Sequence, residues 1–305
     1  MTPPHPIPAQ RNLLILTAAS LLNFALLALA AYAPWPVAVP AALLFGLSNN
    51  TVFALLHECV HGVFSPHPTV NRWAGRWAAL WFPTGFSVQR AFHLLHHRHN
   101  RSPAEQFDTL HPEDIRWLKY AQWYAIFSGL YWPVSVLGVL LYAFTPPFLR
   151  RLLNRAFGRQ GSAQTSAEHY IGILDSLPFS ARLEVWAALL FQLLLLWGLG
   201  GAWGAWLACY AAFGFLWSSL QYTDHAFSPF DNRNGAWNLR VPAWLRAVFL
   251  NYHLHLAHHQ HPDVPWIHLP RYATPGPRFI DVWLACWRGP QTPERFPTFK
   301  QYPPL

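Results

Sequence analysis

Four long apolar stretches limit what this chain can become. Residues 13–32, 35–56 and 121–144 contain no Asp, Glu, Lys or Arg, and 183–220 contains Glu184 alone. A run of about 18 or more such residues reads as a bilayer-spanning helix, because a helix satisfies its own backbone hydrogen bonds where no water can. The stretch 183–220 is too long for one crossing, and GLGGAWG at 198–204 interrupts it with turn-forming glycines. APWPVAVP at 33–40 separates the first two stretches. The fold class that follows is an all-α integral membrane protein. Composition agrees, since 53% of the 305 residues are hydrophobic and 11% are charged, against about 25% charged in soluble domains.

Basic residues then set the orientation. Neither short turn contains Lys or Arg, and all such residues lie in the N-terminal arm, in 57–182 or in 223–305. The positive-inside rule places those three regions in the cytoplasm. The result is two transmembrane hairpins, with four spans at about 13–32, 36–56, 183–199 and 203–221, and a cytoplasmic helical cap. Both termini are then cytoplasmic, and the expected location is a bacterial inner membrane. Parity constrains 121–144. An even number of crossings must separate the histidines near 99 from those near 253 if they share a site, and the second hairpin already supplies two. Residues 121–144 are therefore expected to lie in plane or to re-enter, broken near Pro133, between Arg116 and Lys119 on one side and a basic run at 150–159 on the other. The first stretch reads as a retained span, since no small-residue cleavage site follows it. The chain 1–305 reads as one domain. Its net charge of +8 marks orientation and not nucleic-acid binding. Cys59, Cys209 and Cys286 lack any CxxC spacing, which argues against a disulfide framework or a thiolate metal site.

Seventeen histidines are the second strong signal. HECVH places His57 and His61 at i, i+4, on one helical face about 5–6 Å apart. HLLHH supplies His93, His96 and His97, and HLAHH repeats the geometry with His255, His258 and His259. Adjacent positions on a helix point about 100° apart, so neighbouring histidines can serve two different ions. Ionisable groups beside membrane spans are costly and tend to be functional. Eight neutral imidazoles are too many for one ion with an open position; two ions with about four or five ligands each fit the count. Imidazole suits Zn, Cu, Fe and Ni, and the ligand set alone does not choose. His5, His67, His111, His169 and His268 read as solitary polar tips at the headgroup level. His99, His253 and His261 belong to the clusters but break their spacing, and read as outer or surface groups. Metal-bound imidazoles usually hand their second N–H to a carboxylate, carbonyl or water, and Glu58, Asp108, Asp224 and Asp263 are the nearby candidates. A metal transporter would carry ionisable groups along its spans. These spans hold Asn23, Asn49, Asn50 and Gln192, so transport is the weaker reading.

HECVH, HLLHH and HLAHH, with PDVPW after the third box, closely resemble the membrane fatty-acid desaturase superfamily of acyl-lipid desaturases, sphingolipid desaturases, hydroxylases and ketolases. The resemblance runs from about residue 40 to 290. It implies two iron ions in a non-haem centre held by the histidines, with O2 as co-substrate and two electrons from a donor. It also implies a further histidine ligand just after the last span, where His225 stands. Gln221, one helical turn earlier, takes the place where some relatives hold a water-bridging Asn, and so resembles a water-bridged ligand. No catalytic residue beyond the metal ligands is implied. The expected reaction is O2-dependent desaturation of a fatty-acyl or lipid chain; the alternative within the superfamily is hydroxylation, ketolation or oxidative decarboxylation. No HPGG-type haem segment or Gly-rich nucleotide fingerprint is present, so the electrons are expected from a separate ferredoxin or rubredoxin. An Arg-rich cytoplasmic face would attract such an acidic partner.

Overall fold

The computed structural model describes residues 5–146, 148–149, 159–160, 163–164 and 172–304. The basic run at 150–159, apart from Arg159, and His169 lie outside the described residues. Helices dominate. α1 (Ala9–Tyr32) and α2 (Trp35–His61) form the first hairpin. Pro36 lies in the first turn of α2, where a missing N–H costs nothing. α7 (Phe179–Gly198) and α8 (Trp203–Thr223) form the second, joined through Gly200 and Gly201 at positive φ. Beyond the turn this second pair splays. Its helices meet through the Gln192, Trp206 and Tyr210 side chains, and other helices pack into the opening.

α3 (Pro68–Trp81) and α4 (Phe86–His99) fill part of that space. α3 starts level with the end of α2, where the Asn71 amide donates to the Cys59 carbonyl at 2.7 Å. It finishes far down the bundle, where Asn49 donates to the Trp81 carbonyl at 3.3 Å and Gln192 to the Leu80 carbonyl at 2.8 Å. Those two amides satisfy carbonyls that any helix end leaves open, in a layer otherwise made of Phe24, Phe45 and Phe191 rings around Trp81. α4 then returns toward the end of α2. Glu184, the lone charge of the second hairpin, accepts from Arg76 at 2.8 Å and from the Ser87 N–H in the first turn of α4 at 2.7 Å.

α5 (Arg116–Ala125), a π turn (Ile126–Leu130) and α6 (Tyr131–Phe144) make one compound helix. Its break falls at Gly129, with φ 125°, and not at Pro133. Pro133 sits in the first turn of α6, where the first four N–H groups have no helical partner anyway. Gly129 is needed because its backbone packs on α8, so close that a Cβ would lie 3.2 Å from Phe215 Cα. At the α5 end, Trp123 donates to the Cys286 carbonyl and Tyr120 to that of Pro290. In the middle, Trp132 stacks on Tyr210 of α8 at 5.1 Å. At the α6 end, the Thr145 carbonyl accepts from Arg182 in the first turn of α7 at 3.4 Å.

Four helices are long and apolar enough to cross a membrane: Ala9–Tyr32, Trp35–His61, Arg116–Phe144 and Phe179–Gly198. This set differs from the expected one, since the compound helix enters it and Trp203–Thr223 does not. The reason is that α8 ends in Ser218, Ser219, Gln221 and Thr223, polar side chains turned into the interior. α9 (Ala243–Phe249), α10 (His255–Gln260) and α11 (Phe279–Cys286) cover the end of the bundle where α2 and α8 finish.

Candidate metal centre

Four elements deliver the histidines. α2 brings His57 and His61 on its last turns and stops at Gly62, whose φ of 78° is the left-handed close of a helix end. α4 brings His93, His96 and His97, and α10 brings His255, His258 and His259. His225 lies in the turn that leaves α8. All nine converge. His57, His61, His93, His97 and His258 form one group and His96, His225, His255 and His259 another, the ligand atoms within each lying no more than 4.8 Å apart. Adjacent residues divide between them, His96 from His97 and His258 from His259, with ring centroids 5.9 Å apart in each pair. The groups touch where His97 stacks on His259 at 4.3 Å.

The nitrogens fit a cation. His97 Nε2 lies 2.9 Å from His93 Nε2 and 3.0 Å from His258 Nε2, so three ring nitrogens face one another, each able to present a lone pair in the matching tautomer. His57 Nε2, His61 Nε2 and His259 Nε2 are buried with no hydrogen-bond partner among the described residues, which is rare for a polar atom without a ligand. Outward-facing nitrogens, by contrast, are anchored. His96 Nδ1 meets Glu105 Oε2 at 2.6 Å and His225 Nδ1 meets the Gly235 carbonyl at 2.8 Å. Burial also disfavours protonation of several of these rings. It pushes His97 down to about 2 and, together with neighbouring histidines, holds His225, His255, His258 and His259 well below the usual imidazole value. Neutral imidazole is the form that binds a metal.

The carboxylates around this core differ in placement. Asp224 is fully buried, with Oδ2 3.8 Å from His255 Nδ1. Glu58 lies 4.0 Å from His57 Nδ1 and accepts the Trp266 N–H at 3.0 Å. Asp108 meets no imidazole; it pairs with Arg101 at 2.7 Å and accepts the Phe227 N–H. Asp263 is exposed and stands outside the cluster. Gln221 accepts the Tyr252 hydroxyl at 2.9 Å, and the Tyr252 ring lies 4.9 Å from His57 and 5.0 Å from His255, alongside both groups. Glu105 escaped sequence reasoning, although an acidic residue just beyond the second box was its available signal. Tyr252 escaped it too. Among the remaining histidines, His5 and His268 stack and His5 reaches the Tyr272 hydroxyl at 2.6 Å. His261 packs on Tyr272. His253 is buried outside both groups, and burial followed by Arg246 lowers it to about 3.

A long apolar helical bundle closed at one end by two clusters of imidazoles that could hold metal ions defines a class of candidate membrane metal centres. Comparison with known proteins makes it particular: the Fatty acid desaturase family matches residues 33–279, and the chain belongs to that family. It is also similar to the sn-1 oleoyl-lipid 12-desaturase of Picosynechococcus sp., 25% identical over 283 residues that cover 86% of this chain and 74% of the relative. The chain is thus a membrane oxidoreductase of lipids, of desaturase type.

Proposed function

We propose that the five-histidine and four-histidine groups each hold one iron ion, and that the protein uses O2 to place a double bond in a fatty-acyl or lipid chain. The observation that carries this is the division of nine converging imidazoles into two adjoining sets. A bound pair of iron ions supplies oxidising power toward an unactivated C–H bond, which no protein acid or base possesses. The protein's own part is placement. Glu105 and the Gly235 carbonyl fix the rings of His96 and His225, while Asp224 stands 3.8 Å from the His255 Nδ1 without a hydrogen bond to it. Gln221, steadied by Tyr252, takes the position of a water-bridged ligand. A small, mostly apolar crevice lined by Ala54, Leu250, Trp266 and Leu269, with Glu58 in its wall, lies beside His57 and His258. Overall, a CH2–CH2 unit, O2, two electrons and two protons give CH=CH and two waters. The electrons come from a separate acidic carrier of ferredoxin or rubredoxin type. The histidine end and both termini face the cytoplasm of a bacterial inner membrane, the side that the basic residues select.

The test is to measure the iron content of the purified protein and profile host lipids by mass spectrometry beside a His258→Ala control. Desaturated chains lighter by about two mass units, absent from the control, are expected. Added oxygen instead would reassign the reaction to hydroxylation, and zinc alone with unchanged lipids would end the oxidase reading.

A further inference from the structure

Asp108 reaches no imidazole, yet it is buried, with 2% of its surface exposed. It forms an ion pair with Arg101, itself 4% exposed, whose Nη1 donates to Asp108 Oδ1 at 2.7 Å. Taking two charges out of water often costs more than their attraction returns, so such a pair is a poor device for stability alone. Its other bonds show what it is tied to. Asp108 Oδ2 accepts the Phe227 N–H, and Arg101 Nη2 donates to the Ser228 carbonyl at 3.1 Å. Both bonds grip the turn that carries His225. Arg101 at φ 59° and Phe227 at φ 60° also stand in the left-handed region. Side chains other than glycine rarely adopt it, and it persists only where the surroundings impose it.

The same segment reaches the carbonyl that holds the ring. The Gly235 carbonyl takes His225 Nδ1 at 2.8 Å and the Asn100 amide at 3.1 Å, and Asn100 also donates to the Asn232 carbonyl at 3.1 Å. A carbonyl only accepts, so the imidazole proton sits on Nδ1 and the lone pair on Nε2. The Arg101 stem lies against Gly235 so closely that a Cβ there would stand 2.3 Å from Arg101 Cγ. We propose that Arg101 and Asp108, together with Asn100, are positioning residues for His225. They lock the turn 225–228 and the Gly235 carbonyl, so that the ring keeps its Nδ1–H engaged and turns Nε2 to the four-histidine group. Residues 100–108 then set two of that group's members, His96 through Glu105 and His225 through the ion pair. The placement of the ring stands without metal, and its consequence for an ion rests on the two-metal reading above.

Two measurements on the purified full-length protein decide. NMR of the metal-free protein with nitrogen-labelled histidine reads how fast ring N–H protons exchange with water, the His225 signal being the one lost in His225→Gln. Cobalt(II) titration reads ion affinities, with His61→Ala and His259→Ala assigning each affinity to its group. Asp108→Asn is expected to speed exchange at His225 by about tenfold or more, through loss of charge-assisted hydrogen bonds. It is also expected to weaken cobalt at the four-histidine group about 10–100-fold and to leave the five-histidine group unchanged. Arg101→Lys keeps the charge but not the fork, and should fall between Asp108→Asn and the wild type. If a single variant fails to fold around its lone buried charge, the pair Arg101→Met with Asp108→Leu removes both charges and keeps apolar volume. That pair should show the same loss at His225 with helicity retained. Fast exchange at His225 in the wild type, wild-type exchange in the variants, or equal weakening of both groups overturns the proposal. A wild type that takes up fewer than two cobalt ions counts against the two-metal reading, while the exchange measurement, which needs no metal, still decides this one.

Discussion

Glu105 stands where a single side chain decides how a ligand is presented. The bond between its carboxylate and His96 Nδ1 is 2.6 Å long, and the carboxylate is buried. A carboxylate in that position fixes the ring's tautomer and turns Nε2 inward; losing such a partner typically costs about 10–100-fold in metal affinity. Glu105→Gln is therefore expected to release iron from the four-histidine group about 10–100-fold more readily under chelator titration, with the fold intact by circular dichroism. Unchanged chelator resistance would show that His96 needs no such anchor. Eight of the nine histidines were legible in the sequence because ligand spacing on one helix is a short-range property, whereas His225 was suggested by the family resemblance. Glu105 was not, because its meeting with His96 depends on how residues 100–105 turn back under α4. Asp263 misled for the converse reason: nearness in sequence to His261 says nothing about direction, and its side chain points to solvent.

At the scale of elements, polar side chains hold together what hydrophobicity alone leaves unplaced. α3 ends beside the middle of α2 and α7, where two of its last carbonyls take donors from Asn49 and Gln192. Gln192 also accepts the Trp206 indole N–H at 2.9 Å and bonds the Tyr210 hydroxyl at 2.8 Å. Gln192→Leu would keep the volume and strip partners from the buried Tyr210 hydroxyl and the half-buried Leu80 carbonyl and Trp206 indole. A buried polar group left unpaired costs about 1–3 kcal/mol, so a clear fall in thermal midpoint in detergent is expected, larger than for Leu193→Ala on the exposed face of the same helix. Equal midpoints would mean that water reaches the end of α3. The long helices were readable from uncharged length. The dip of α3 was not, because Arg72 and Arg76 interrupt its apolar pattern and it is only 14 residues long. The compound-helix break was misplaced for a related reason. Proline disrupts a helix by position, and Pro133 sits where the helix tolerates it, whereas Gly129 is demanded by the close approach of α8, a contact invisible before the fold is known.

For the whole molecule, the open quantity is how often the chain crosses. Hydropathy and length admit the compound helix as a span, yet its contacts describe a descent and a return. α5 begins among cap residues near Cys286 and Pro290, Trp132 stacks on Tyr210 part-way along α8, and Thr145 meets Arg182 at the start of α7. α7 descends alongside α3, with Glu184 against Arg76 and Gln192 against the Leu80 carbonyl, so it starts toward the end where α3 starts, level with the last turn of α2. We infer that Arg116–Phe144 re-enters and does not cross. Single cysteines test this cleanly, because Cys59, Cys209 and Cys286 are buried and will stay silent toward an impermeant thiol reagent. Arg116→Cys and Thr145→Cys should both react in inside-out vesicles and neither in intact spheroplasts, while Trp203→Cys, in the short outer turn, should show the reverse. If Thr145→Cys reacts from the side opposite to Arg116→Cys, the segment crosses. The parity that brings the second and third boxes to one face then requires another crossing, and α3 with α4 is the pair that would have to supply it.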